Sequence, residues 1–139
     1  MIKAWTDGSC RANGTKYAVS AIGFVAFKDE TELFRGGKTT GYNTNNEAEY
    51  SAILNVLQRL VDKRDELIWI YCDSALVVNQ LNGAWKVKDS RMKHLRDLIL
   101  TYIHIQNFKE VRFTWIPREQ NKIANDIAQA LTENVTIRR

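Results

Sequence analysis

The sequence predicts an α/β domain built on a mixed sheet. Three observations carry this. Two strand-like runs near the N-terminus, Tyr17–Phe27 and Thr31–Thr40, are separated only by "KDE", as in a hairpin. Beyond them, short apolar runs alternate with stretches of helical periodicity, the pattern of βαβ-type units with a central parallel region. One of those runs, "LIWIYC" (Leu67–Cys72), is continuously apolar, as expected of a strand buried on both faces.

The elements follow in order. Ile2–Thr6 reads as a short strand that stops at the turn signal "DGS". The hairpin comes next. "NEAEYSAILNVLQRLVDK" places Ile53, Val56, Leu57 and Leu60 at the spacing of an amphipathic helix. After "LIWIYC", the segment "SALVVNQLNG" is a short helix with Ser74 as N-cap and Gly83 as its stop. "SRMKHLRDLILTYIHI" is helical, with Met92, Leu95, Ile99 and Tyr102 on one side. "VRFTWIP" is the last strand, ended by Pro117, and "NKIANDIAQALT" the last helix.

The chain's 139 residues suit one domain, 1–139, with a substantial core. Hydrophobic residues make up 45% and charged residues 26%, as in a soluble globular protein. No signal peptide or membrane span is evident, so no membrane partner is expected. Cys10 and Cys72 are too few for a disulfide framework; reduced thiols in a cytoplasmic protein are the expectation. No Cys/His cluster suggests structural zinc. A net charge of +4 is compatible with a polyanionic partner.

Three acids stand where a core-building sequence does not need them. Counting back along the first helix at about 100° per residue, Glu49 falls on the apolar stripe one turn before Ile53. Glu47 falls off that stripe, toward water. Asp73 follows the most apolar strand, and Asp7 follows the first. Each has an ordinary local explanation: a carboxylate at a helix start, an N-cap, the first residue of a turn. Together they are harder to dismiss, because ligands of open α/β sheets bind at the carboxyl ends of strands. Clustered carboxylates repel unless a cation neutralises them, and an all-oxygen set selects hard cations such as magnesium or manganese.

Four segments, "TDGSC", "TTGYNTNNEAEYSAI", "YCDSALVVNQLNG" and "WIPREQNKIANDIAQAL", together resemble the type 1 ribonuclease H family. The resemblance covers essentially the whole chain with the motifs in family order. "DGS" alone is weak; "TNN-x-AEY" followed by "DS" and "W-x-P-R-x-x-N" is specific. It implies a ribonuclease H-like fold, a five-stranded mixed sheet flanked by helices, with the first three strands antiparallel. It also implies Mg²⁺-dependent endonucleolytic hydrolysis of the RNA strand of RNA/DNA hybrids, two ions binding with substrate and Mn²⁺ able to substitute. Asp7, Glu49 and Asp73 are then the three central carboxylates, catalytic and metal-ligating.

Asn13, Thr44, Asn45 and Asn46 match family positions that contact the backbones and minor groove of the hybrid, though Asn and Thr are also common turn formers. Arg118, in "PREQN", falls where many members place a catalytic histidine; it cannot relay a proton but can hold a phosphate. Many members insert a basic protrusion after the "DS" helix. This chain is a short form, running from "NGAWKVK" straight into the next helix. Its basic stretch Lys86–Arg96 reads either as a phosphate-tracking patch or as a solvated helix face.

The family motif N-x-x-A-D places a fourth aspartate directly after the alanine, and in "NKIAND" that position is Asn125. Asp126 comes one residue late and points about 100° away, with Lys122 one turn before it. Asn125 is therefore the expected fourth catalytic and metal position, with an amide where the family has a carboxylate. The amide is either native or a substitution of aspartate. It keeps a second class open, a hybrid-binding module with little catalysis, and a third, the ribonuclease H domain of a reverse transcriptase. A start at Met1 argues against the third, and the three intact carboxylates favour an enzyme. A monomer is expected.

Overall fold

The computed structural model describes residues 1–136, with side chains described as far as Glu133. Among these residues the strands and α-helices follow one another in the predicted order: β1 (Ile2–Arg11), β2 (Val19–Lys28), β3 (Thr31–Thr40), α1 (Asn45–Arg59), β4 (Leu67–Cys72), α2 (Ala75–Leu81), α3 (Ser90–Ile105), β5 (Glu110–Trp115) and α4 (Lys122–Thr136). The strands form one sheet in the order β3-β2-β1-β4-β5. β1, β2 and β3 are antiparallel; β4 and β5 run parallel to β1.

α1 packs on one face of β1 and β2, with α3 against it. The main core lies there, built from Ile22 and Phe24 of β2, Ile68 and Ile70 of β4, and Ile53, Val56 and Leu57 of α1. α4 covers the other face, over β1, β2 and β3. Two glycines set these close approaches. A Cβ on Gly8 would lie 2.2 Å from the Ala48 carbonyl carbon of α1, and one on Gly23 would lie 2.2 Å from the Ala124 carbonyl oxygen of α4. Only a missing side chain lets either helix backbone come so near a strand.

Two expectations are corrected. β1 does not stop at Thr6: it runs through "DGS" to Arg11, because β2 pairs with it along its whole length, from Ile2↔Lys28 to Arg11↔Val19. The turn lies beyond, where Ala12 (φ 54°) and Gly14 (φ 79°) adopt left-handed conformations. Tyr17 is thereby exposed in the loop, and β2 begins at Val19. Second, β4 is not buried on both faces. Ile68, Ile70 and Cys72 are buried, whereas Leu67, Trp69 and Tyr71 are half-buried. α4 lies over the β1–β3 side of that face, and the aromatic side chains nearby pack on each other. Trp5 stacks on Tyr71 at 5.0 Å, Trp69 on Tyr71 at 6.3 Å, and the Arg112 guanidinium sits 5.2 Å from the Trp69 ring.

Candidate active site

Three elements bring the predicted acids together. Asp7 lies in β1, opposite Gly23. Asp73 follows the last residue of β4. Glu49 sits in the first turns of α1, whose N-cap is Thr44. One carboxylate oxygen of each lies within 4.8 Å of the others. The Gly8 N–H donates to Glu49 Oε1 at 2.5 Å, so the same glycine that admits the helix also anchors its acid. Ser74 caps α2 through the Val77 N–H, which leaves the Asp73 carboxylate out of the cap.

The electrostatics of the cluster reflect its burial and its like charges. Burial, and then the Asp73 charge, push the Asp7 carboxyl up to about 7, opposed by the Arg118 guanidinium. Burial, reinforced by Asp7 and Asp73, pushes Glu49 well above the usual carboxylate range. Asp7 and Glu49 therefore favour their protonated forms at a pH where isolated carboxylates are ionised.

α4 answers the question of Asn125 and Asp126. Asn125 is 7% exposed and on the buried side with Asn121, Ala124 and Ala128. Its Oδ1 accepts from Arg118 Nη2 at 3.2 Å. Asp126 is exposed and pairs with Lys122 at 3.3 Å. The amide, not the carboxylate, faces inward, in contact with the arginine whose charge reaches Asp7.

The predicted substrate residues also converge. Asn13, Thr44, Asn45 and Asn46 line one hollow of about 300 Å³ with Asp89, Arg91 and Met92. Turn chemistry builds its wall: Asn13 Oδ1 accepts the Asn45 N–H at 2.7 Å, and Asn45 Oδ1 accepts the Cys10 N–H at 2.7 Å. In the basic stretch, Lys86, Lys88 and Lys93 are exposed, Arg91 reaches Glu47 at 3.8 Å and Asp89 at 3.9 Å, and Arg96 pairs with Asp97. His94 and His104 are exposed on α3.

Glu47 departs from expectation. It does not face water; it is 7% exposed. Its N–H donates to Thr44 Oγ1 and its carboxylate accepts from the same hydroxyl at 2.9 Å, while Arg91 of α3 covers it. The pattern T-x-x-E at Thr44–Glu47, a capping box, is the signal that marks this role. Asn121 is the other residue that sequence reasoning left without a role. It shares the buried side of α4 with Asn125, and its Nδ2 donates to Asp73 Oδ2 at 3.3 Å.

With this geometry in place, residues 5–131 match the family described as reverse transcriptase-like. The chain belongs to this family. Within it, the resemblance to type 1 ribonuclease H holds. A ribonuclease HI from Halobacterium salinarum is 31% identical over 128 residues, covering 91% of this chain and 62% of that protein. The bifunctional protein Rv2228c of Mycobacterium tuberculosis is 30% identical over 136 residues, covering 92% of this chain and 35% of that protein. The chain thus spans less than two thirds of these curated relatives. Among solved structures, ribonuclease H1 from Halobacterium salinarum superposes with a TM-score of 0.86 at 30% identity, covering 96% of this chain and 98% of that one. LC11-RNase H1, solved in complex with an RNA/DNA hybrid, superposes with a TM-score of 0.85 at 29% identity, covering 98% and 99%. The fold is that of ribonuclease H. This reverse transcriptase-like domain is a short form: α2 ends at Leu81 and α3 begins at Ser90, with no further element between them.

Proposed function

We propose that this chain is an endonuclease that hydrolyses the RNA strand of RNA/DNA hybrids with the help of divalent ions. The observation that carries the reading is the trio of buried Asp7 and Glu49 with half-buried Asp73, one carboxylate oxygen of each lying within 4.8 Å of the others. The trio fits a metal site: its donors are all oxygen, and burial together with the like charge of its neighbours raises Asp7 and Glu49, a repulsion that a divalent cation would relieve. Magnesium is the proposed ion and manganese its substitute. Two such ions, when bound, supply charge neutralisation at the phosphate and an activated water.

The chain's own residues do the rest. Asp7, Glu49 and Asp73 hold the metals, and Asn125 offers a neutral oxygen at the fourth position. Arg118, beside Asn125, presents a guanidinium that no pH near neutrality discharges, suited to gripping a phosphate oxygen. Asn13, Thr44, Asn45 and Asn46 form a polar hollow suited to backbone and 2′-hydroxyl contacts. Products are a 5′-phosphate and a 3′-hydroxyl. The free thiols Cys10 and Cys72 support a reducing, cytoplasmic setting, where the chain acts as a monomer.

One observation favours a second reading. The Asn125 oxygen already accepts from Arg118, and an amide brings no charge to the ions. The domain is then a hybrid-binding module with slow turnover. Incubation with an end-labelled hybrid, with and without Mg²⁺ or Mn²⁺, separates the two. Metal-dependent cuts confined to the RNA strand support the enzyme; an intact hybrid that is nonetheless bound supports the module. Equal action on duplex DNA overturns both.

A further inference from the structure

Asn121 stands where the 3-10 turn Arg118–Gln120 gives way to α4, and it is 1% exposed. Its Nδ2 donates to the Thr6 carbonyl of β1 at 2.8 Å and to Asp73 Oδ2 beyond β4 at 3.3 Å. Its backbone N–H donates to the Arg118 carbonyl at 2.9 Å, and its own carbonyl accepts the Asn125 N–H at 3.1 Å. One residue therefore ties β1 next to Asp7, and Asp73 just beyond β4, to the turn and helix that carry Arg118 and Asn125.

The amide's orientation is decided by its neighbours. Both groups facing Nδ2 are oxygens, one of them a carboxylate, so a flipped amide would set oxygen against oxygen. In the orientation observed, Oδ1 is buried and without a hydrogen-bond partner among the described residues. An unpaired buried acceptor is destabilising, and an apolar side chain would avoid it. What the amide adds in return is a donor aimed at Asp73. That acid is only half-buried and, unlike Glu49, receives no backbone N–H among the bonds described.

We propose that Asn121 is a positioning residue. Its Nδ2 holds the Asp73 carboxylate toward Asp7 and Glu49 and so sets the affinity of the site for divalent ions. It acts through Asp73 and does not touch the reacting atoms. This assignment rests on the metal-dependent function proposed above.

The test is Mn²⁺ binding to the protein without substrate, by isothermal titration, for the native chain and Asn121→Ala. Loss of an outer partner of a metal ligand is expected to weaken Mn²⁺ binding about 10-fold and to lower kcat by a similar factor. KM for the hybrid stays unchanged, because Asn121 lies off the substrate hollow. In the native chain, the Asn121 side-chain amide resonance shifts on Mg²⁺ addition, with the midpoint of the metal dependence of cleavage. A folded Asn121→Ala protein with native Mn²⁺ affinity overturns the assignment. So does an amide resonance indifferent to Mg²⁺, which decides the matter if Asn121→Ala does not fold. A native chain that binds no Mn²⁺ and leaves the hybrid intact overturns the metal-dependent function as well. A native chain that binds Mn²⁺ and cuts the hybrid, beside an unaltered variant, overturns the role of Asn121 alone.

Discussion

Asn125 and Asp126 are neighbours in sequence but lie about 100° apart around α4, and that rotation separates a buried amide from a solvated ion pair. Three carboxylates and an amide carry one negative charge fewer than four carboxylates. Asn125→Asp is therefore expected to raise hydrolysis and lower the Mg²⁺ needed for half-maximal rate, by roughly 10-fold. Asp126→Ala changes either value by less than about 2-fold, since exposed pairs contribute little. Metal titration of hydrolysis for both variants checks this; the reverse pattern would place Asp126 in the fourth position. The two glutamates of α1 differ in kind. Glu49→Gln replaces one carboxylate of the acid trio with an amide that cannot ionise to hold a cation, and should abolish most activity. Glu47→Gln keeps the capping box, which accepts Gln, and should leave both rate and melting temperature near native. Equal losses from the two changes would show that Glu47 belongs to the chemistry. Proton linkage follows from Asp7, raised from 3.8 to about 7 by burial and then by Asp73. Between those values the folded chain holds a proton that the unfolded chain releases. Its contribution to stability is thus full below 3.8 and lost as pH rises toward about 7. Glu49 acts in the same direction. Melting temperatures measured against pH in EDTA should fall through that window relative to those in Mg²⁺, because a bound ion replaces the proton.

At the scale of elements, the site depends on how closely α1 approaches β1. The helix is capped by Thr44 and Glu47, and its backbone passes Gly8 at a distance that no Cβ tolerates. Gly8→Ala must push α1 outward, carrying Glu49 away from Asp7 and breaking the Gly8–Glu49 hydrogen bond. A loss of roughly 1–3 kcal/mol is expected from such overpacking. Thermal melts and Mn²⁺ titration on the same variant should show stability and metal affinity falling together. A variant that loses stability but binds Mn²⁺ as the native chain does would show that Glu49 does not depend on this approach.

Across the whole molecule, charge is arranged unevenly. The net charge is +4 although the site itself is acidic, and Lys86, Lys88 and Lys93 stand exposed on and before α3. Hybrid affinity should fall as salt rises, and the hybrid should bind more tightly than duplex DNA of the same length. Replacing these three lysines with alanine should reduce the slope of log affinity against log salt by about 1 for each phosphate that a lysine neutralises. An unchanged slope would make the stretch a solvated helix face, as Arg91 and Arg96 with their own acidic partners already suggest.

Much of this was legible in the chain because it is encoded locally. Periodicity and end signals place α2 after Ser74, and strand composition places β3 at Thr31–Thr40 and β4 at Leu67–Cys72. Helical rotation distinguishes Glu49 from the off-stripe Glu47; Asn125 is distinguished from Asp126 by the family motif N-x-x-A-D, with which the rotation agrees. What depended on distant partners was not legible. β1 runs through Asp7-Gly8-Ser9 because β2 returns along it; local turn preference yields to a complete hydrogen-bond ladder. Glu47 is buried where Arg91, far along the chain on α3, reaches its carboxylate at 3.8 Å. Asn121 meets Thr6, 115 positions away, and Asp73, 48 away. Side-chain periodicity records which face of an element is apolar; only the packed sheet and helices decide which group stands opposite each polar one.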